Sequence, residues 1–443
     1  MRIAVAAHTP DGAGGVESYL ARLLPALVRR GHDVACLFES AGSGRDCWVP
    51  RDGSVQVWAA DAAAVRAVEA LQQWQPDVVY AHGMRARALE MQVIASAPSV
   101  FFAHSYYGTC ISGSKLHTVP HDRICTRVFG PGCLLQYYPR RCGGWSPVAM
   151  RREYGLQRDR RTTLHACGRI AVASQHMAQE YARHGFGEKV RIVHLPVTVR
   201  PSVRDRVSSG AARLLYLGRL ERTKGVDQLI PAAAIAARAL GRPVHLQISG
   251  KGTLSTQLAR GAARPYPNLT VTTTGWLSRE GCEEALAGAD LLLLPGRWPE
   301  PFGLSGLEAA ASGVPAVAFD AGGIRDWLTD GVNGRLVPTN PPDVRRFAEA
   351  IVDCLRDGPR FTRFQQQARM AAARFTMAAH LATLERLFDE IVATAHPTPN
   401  AEPRTPSAER RTPGPERRTP SPERRTPSPE RRTPSPERRS SSP

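Results

Sequence analysis

What most constrains this chain is a rhythm that runs through it twice. Short apolar, β-branched runs read as buried strands: RIAVAAH (2–8), DVACLFE (33–39), DVVYAH (77–82), SVFFAH (99–104), RIAVAS (169–174) and VRIVHL (190–195). Amphipathic helical stretches such as VESYLARLLPALVRRG separate most of them, which is the pattern of a parallel sheet with crossover helices. The periodicity lapses over VTVRPSVRDRVSSGAA (197–212), which reads as a linker. It restarts with RLLYLGR (213–219), VHLQISG (244–250), LTVTTTG (269–275), DLLLLPG (290–296), VPAVAFD (314–320) and GRLVP (334–338). The predicted fold class is therefore α/β, with two Rossmann-like, doubly wound parallel-sheet domains, 1–200 and 201–396, facing across a cleft. Helical stretches at 341–357 and 360–394 are expected to cover the second domain and to cross back to the first.

Composition narrows the setting. The chain has 443 residues and is 42% apolar, enough for two or three domains with ordinary cores. No run of about 18 apolar residues reads as a membrane span, and MRIAVAAHTPDGAGG lacks a signal peptide's apolar core. A cytoplasmic location follows as the expectation, with peripheral contact on the inner face of the membrane. Cys36, Cys47, Cys167, Cys282 and Cys354 are scattered and read as small buried hydrophobes.

The net charge of +18 calls for an acidic partner: nucleotide phosphates, nucleic acid or an anionic membrane. Residues 401–443 carry eleven Arg and six Glu, so +5 of that total sits in the tail and +13 in the remainder. The tail, 397–443, repeats RTPSPER every seven residues, with Thr405, Thr412, Thr419, Thr426 and Thr433 in register. Its prolines exclude a helix and it offers no apolar seam, so it reads as a disordered basic segment. Simple repeat expansion accounts for it; an electrostatic tether or a phosphorylation target is the functional alternative.

Ligands on open parallel sheets bind beyond the carboxyl ends of the strands, and the unusual residues of this chain fall there. DGAGGVE, with Gly14 and Gly15, follows the first strand. In the second half GRLERTKG brings Arg219 and Lys224 out of a strand between Gly218 and Gly225. Two cations at a helix start suit a diphosphate; a solvated charge pair is the plain alternative. GKG contributes Gly250, and GW contributes Trp276, a residue placed to flank a base.

The segment PEPFGLSGLEA sets Glu300 and Glu308 eight positions apart, with Phe302, Gly303, Leu304 and Ser305 between them. A helix starting near Leu304 would offer amides to a phosphate or a sugar oxygen. Glu308, one turn in, suits a vicinal diol such as a ribose because a carboxylate is acceptor-only. Helix capping would explain Glu308 alone, not the pair. The chain has no Asp-x-Asp cradle, so no metal is expected in this site.

With these residues in place, the chain resembles the retaining glycosyltransferases of family 4, the glycosyl transferases group 1, with their GT-B fold. The resemblance rests on GGVE, GRLERTKG, GKG, GW and above all EPFGLSGLE, followed by AGGIRDWL and GVNGRLVP, over roughly residues 1–395. It implies that Glu300 approaches the donor sugar, Glu308 holds the nucleotide ribose, and Arg219 and Lys224 neutralise the pyrophosphate. It also implies a nucleotide-sugar donor (UDP-, GDP- or ADP-linked), no essential metal or other cofactor, and a catalytic placement of His104 beside the sugar. His8 is a weaker candidate for the same wall.

One segment departs from that pattern. Residues 105–161 form a basic insert with Cys110, Cys125, Cys133 and Cys142 at gaps of 14, 7 and 8, and with His104, His117 and His121 near them. It resembles a cysteine-containing insert of some bacterial members of the family. No CxxC knuckle is present, and structural zinc, a redox or disulfide arrangement and plain buried thiols all remain open. Between Cys110 and Arg161 ten Lys or Arg face only Asp122, Glu153 and Asp159, with Tyr137, Tyr138 and Trp145 interspersed and Tyr106 and Tyr107 just before. Such a surface suits an anionic membrane or a lipid-linked acceptor; nucleic acid is not expected as a partner. The function expected is hexosyl transfer to a glycan or lipid-linked acceptor in cell-surface or exopolysaccharide synthesis. A GT-B epimerase or phosphorylase, or a non-catalytic basic scaffold, is the alternative.

Overall fold

The computed structural model describes residues 1–12, 14–42, 47–61, 63–198 and 210–395; most of the expected linker and the whole repeat tail lie outside them. Residues 1–397 belong to one compact unit built on two sheets.

In the first lobe the strands are β1 (Arg2–Ala7), β2 (Asp33–Phe38), β3 (Val55–Ala59), β4 (Val78–Ala81) and β5 (Ser99–Ala103). A small antiparallel hairpin follows, β6 (Leu116–His117) and β7 (Arg123–Ile124), then β8 (Arg169–Val172) and β9 (Val190–Ile192). The large sheet is parallel throughout, in the order β3-β2-β1-β4-β5-β8-β9. The second lobe holds β10 (Ala212–Leu217), β11 (Val244–Ser249), β12 (Leu269–Gly275), β13 (Leu291–Leu294), β14 (Ala316–Phe319) and β15 (Gly334–Val337). Its order is β12-β11-β10-β13-β14-β15, again all parallel. Both sheets reverse direction beside their first strand, β1|β4 and β10|β13, and that switch point is where a doubly wound sheet opens a crevice.

Central strands are buried on both faces, as β1, β4 and β5 show, which is why their sequences read as unbroken apolar runs. β3 was not among the expected strands. Its sequence VQVWA exposes Gln56 and Val57 on the sheet edge, so it lacks the apolar run by which the others are recognised.

The last three helices are Val344–Arg356, Gly358–Ala372 and Met377–Ala395. The final one packs against the first lobe. Glu385 receives Arg30 and His32, and Glu390 receives Arg169 and Arg191. Phe388 packs edge-on to Tyr80 at 5.4 Å between ring centroids. One apolar core consequently runs from Leu20, Leu23 and Val78 of the first lobe through Leu384 and Phe388 to Phe302, Leu307 and Trp327 of the second.

The insert is mostly irregular. Besides its hairpin it has one short helix, Gly132–Gln136, and a satellite core of Ile111, Phe129 and Tyr137. It is pinned from below: Lys115, almost fully buried, pairs with buried Glu180, and the Phe129 amide donates to His184 Nε2 at 2.9 Å. Ser146 caps the long basic helix Pro147–Ala166 that leads back to the sheet.

Candidate functional site

The loops after β1, β10 and β13 meet in a cavity of about 780 Å³, part of it open to solvent. Gly14 and Gly15 line it from the first lobe; Gly218, Arg219, Lys224, Trp276, Glu300, Ser305 and Ile324 line it from the second. Most of the residues singled out by sequence are thereby brought together.

The second-lobe wall is locked by backbone contacts. Gly225 has a φ of +66°, and a Cβ there would collide with the Pro295 carbonyl oxygen. Gly250, at +145°, sits as tightly against the Gly218 carbonyl. Only glycine permits two loops to approach this closely. Across them Glu221 accepts from the Thr253 amide at 3.1 Å and from its hydroxyl at 2.6 Å, tying the GRLERTKG loop to the GKG turn. Gly250 itself lies behind the cavity surface, as support.

Glu300 is held at its backbone by Gly322 and Gly323, whose amide donates to the Glu300 carbonyl at 2.7 Å. Its carboxylate Oε1 takes Lys224 Nζ at 2.5 Å and Trp298 Nε1 at 2.7 Å. Lys224 also lies over the Trp298 ring, 4.6 Å from its centroid. The loop bearing Glu300 is gripped by the first lobe as well: Tyr106 donates to the Pro299 carbonyl at 2.7 Å and Ser174 to the Pro301 carbonyl at 2.5 Å. Neither grip is visible in the sequence, since a lone Tyr and a lone Ser carry no pattern.

Gly303, with φ +79°, turns the chain into the helix Leu304–Ala311. The amides of Gly306 and Leu307 go to the Gly303 carbonyl, which leaves Leu304 and Ser305 as the first-turn donors with no partner in the helix. Phe302 points away from the cavity. Its ring packs on Phe375 and His194, and its carbonyl accepts from Trp327 Nε1 at 2.7 Å. A Cβ on Gly306 would strike the Trp327 ring, so glycine sets how close this helix comes to the core.

Glu308 has a partner that sequence reasoning missed. Arg22, from the first-lobe helix Gly15–Arg29, donates to Glu308 Oε1 at 2.6 Å across the cleft. A second bridge between the lobes runs from the β6–β7 hairpin: Asp122 pairs with Arg297 at 3.0 Å, and Arg297 with Asp227 at 2.7 Å.

His104 does sit at the end of β5, but among rings. Its Nε2 shares a 2.8 Å hydrogen bond with His82 Nδ1, and Tyr19 and Phe102 flank it. Loss of hydration pushes its imidazole down to about 3, so it is neutral at ordinary pH. It is not among the residues that line the cavity. His8 is engaged by Glu39 at 2.9 Å. Among the described residues no group of three His, Cys, Asp or Glu side chains is arranged to hold a metal ion, and no helix is long and apolar enough to cross a membrane.

Two doubly wound lobes with a basic, glycine-lined cavity between their strand ends define a GT-B protein, and the comparisons agree. Residues 13–200 match the family described as Glycosyltransferase Family 4, and residues 204–371 match Glycosyl transferases group 1. The chain belongs to glycosyltransferase family 4.

It is 36% identical to a glycogen synthase of Mycobacterium tuberculosis over 176 residues, which is 40% of this chain and 41% of that protein. With the phosphatidyl-myo-inositol mannosyltransferase of the same species it shares 25% identity over 415 residues, covering 89% of this chain and 98% of the relative. Among solved structures, Anabaena HepE in complex with UDP and glucose superposes with a TM-score of 0.62 at 17% identity, covering 88% of this chain and all of that one. The sucrose-phosphate synthase of Thermosynechococcus elongatus gives 0.64 at 18%, covering 89% and 99%. These two likenesses are of fold.

Proposed function

We propose that this protein is a retaining glycosyltransferase that moves a hexosyl unit from a nucleotide sugar to a glycan or lipid-linked acceptor in cell-surface polysaccharide synthesis. The observation that carries the proposal is the gathering of Arg219, Lys224, Glu300 and the Ser305 turn in one cavity between the lobes. Relatives named as glycogen synthase and mannosyltransferase, and the fold shared with a protein solved with UDP and glucose, support the donor class.

Breaking the anomeric C–O bond puts negative charge on the departing diphosphate. Lys224, held by Glu300, the amides of Leu304 and Ser305, and the exposed Arg219 stand where that charge develops, so little reorganisation is needed at the moment of reaction. Glu300 is a positioning residue: it holds the Lys224 ammonium and the Trp298 indole, and it faces the sugar from the cleft side. Glu308 accepts from the ribose hydroxyls, exchanging the Arg22 bond for them or sharing its second oxygen. With retention, the acceptor attacks on the face the diphosphate leaves, and a diphosphate oxygen takes its proton. The cationic pair fills the role of a divalent ion, so the reaction proceeds without one. The basic insert on the first lobe forms the acceptor side and its contact with anionic lipid.

The test is thermal stabilisation by UDP-, GDP- and ADP-sugars in the presence of a chelator. A ligand at 100 times its Kd raises stability by about 2.7 kcal/mol. One nucleotide class is expected to stabilise the protein without metal, and Glu308→Gln to weaken that effect. Absence of any shift, or a shift only with added divalent metal, would sink the donor assignment.

A further inference from the structure

Away from the cleft, folding gathers a second set of reactive side chains. Cys110, Cys125, Cys133 and Cys142 come from separate turns of the insert, and all four line one small pocket with about 20 Å³ of room for a water-sized guest. None is in a disulfide.

One backbone donor already reaches a thiol: the Lys115 amide donates to Cys110 Sγ at 3.3 Å. Arg127 lines the cavity beside Lys115, whose ammonium is paired with Glu180, and no carboxylate lines it. Backbone N–H···S bonds and balancing cations are what a metal–thiolate centre needs around its ligands.

Plain buried thiols explain this less well. Cys125, Cys133 and Cys142 are only half-buried, and the satellite core beside them has just three fully buried members, Ile111, Phe129 and Tyr137. A segment of roughly 40 residues with so small a core needs a cross-link to hold one shape.

We propose that these four cysteines ligate a tetrathiolate metal centre, either an iron–sulfur cluster or a single zinc ion, that holds the insert together. The thiols surround a void; they do not converge on a single ion position. Zinc, at Zn–S distances of about 2.3 Å, would draw the thiols inward, and an iron–sulfur cluster would need more of the space between them. In both cases the thiol protons leave to solvent as metal–sulfur bonds form. The centre then fixes the β6–β7 hairpin, whose Asp122 reaches Arg297 across the cleft.

The experiment is elemental and acid-labile sulfide analysis of the full-length protein, purified without oxygen from cells supplied with iron and zinc. One centre per chain is expected: about one zinc without sulfide, or about four iron with matching sulfide and visible absorption. Cys125→Ser and Cys142→Ser should each lose at least half of the metal, while Cys282→Ser in the second lobe keeps it. Should a serine variant fail to fold, the wild type stripped by a chelator and given Zn2+, or iron and sulfide, must take the metal back in the same ratio. A folded wild-type protein free of both metals that takes up neither, or one whose metal survives both substitutions, overturns the proposal.

Discussion

The two walls of the cleft are built on different principles. On the second lobe Gly225, Gly250 and Gly322 press backbone on backbone, and Lys224 and Glu300 hold each other on the loops so packed. On the first lobe Gly15 meets nothing within 4 Å, and the residues beyond β5 depend on a long irregular insert. A rigid wall suits a ligand part that never changes, a diphosphate. A wall made of loops suits the part that differs between relatives, the acceptor.

That contrast can be broken most directly at its glycines. Gly225→Ala forces a Cβ into the Pro295 carbonyl at a φ unfavourable to alanine, and a loss of more than about 4 kcal/mol, or no soluble protein, is expected. Gly15→Ala should change stability by no more than about 0.5 kcal/mol, yet reduce the stabilisation by a nucleotide sugar if phosphate approaches that backbone. Chemical denaturation with and without ligand checks both. Equal stability losses at the two positions would mean that the walls do not differ in rigidity.

Next in size is the charge on the rigid wall. Lys224→Ala removes a cation from the leaving-group side and should slow turnover about 10²–10³-fold with the fold intact. It also releases Glu300 Oε1 from its 2.5 Å bond, so Lys224→Ala combined with Glu300→Gln should cost less than the product of the single effects. Multiplicative losses in steady-state rates would show that the two groups act separately.

How much of this could be read from the sequence follows the same division. The second-lobe strands fall within a few residues of expectation because strands buried on both faces leave an unbroken apolar run, and their connection by helices makes them parallel. Glu300, Lys224 and Arg219 were placed in one cavity by their strand-end positions beside glycines, although the spacing alone left a solvated charge pair open for Arg219 and Lys224. Arg22 was not legible: it is one arginine on an amphipathic helix, and nothing local announces a partner 286 residues away. His104 was located at the right strand end, but its enclosure by His82 and Tyr19, beside Phe102 of its own strand, arises from two other elements. Phe302 sits inside the most recognisable motif and still serves the core, because alternate residues of that turn face opposite ways.

Acid should separate the walls further. Burial holds His380 down to about 4 and His104 down to about 3, and it lowers His82 as well, against about 6.5 in an unfolded chain. A group whose folded pKa is depressed in this way favours the unfolded state when protonated. Its contribution is therefore intact above pH 6.5 and is lost as pH falls from there toward 4 and 3. All three lie in the first lobe or on the helix that crosses to it, and no histidine lines the donor cavity. Hydrogen exchange between pH 6.5 and 4 should show the first lobe opening before the GRLERTKG loop. His380→Gln should flatten the pH dependence of stability by at most one proton. An unchanged slope would place the acid sensitivity elsewhere.

The smallest effect is expected where the walls touch. Arg22 and Glu308 are both partly exposed, and such a pair contributes about 0.2–1 kcal/mol. Arg22→Ala should lower stability by that little and leave the Glu308 carboxylate free for ribose, so donor affinity holds or rises. Glu308→Gln breaks the same bridge and also replaces the acceptor of the ribose hydroxyls, so it should lose donor affinity at similar stability. Titration calorimetry with the nucleotide alone separates the two. If both substitutions weaken binding equally, Glu308 acts by holding the lobes together, and the ribose contact belongs to another residue.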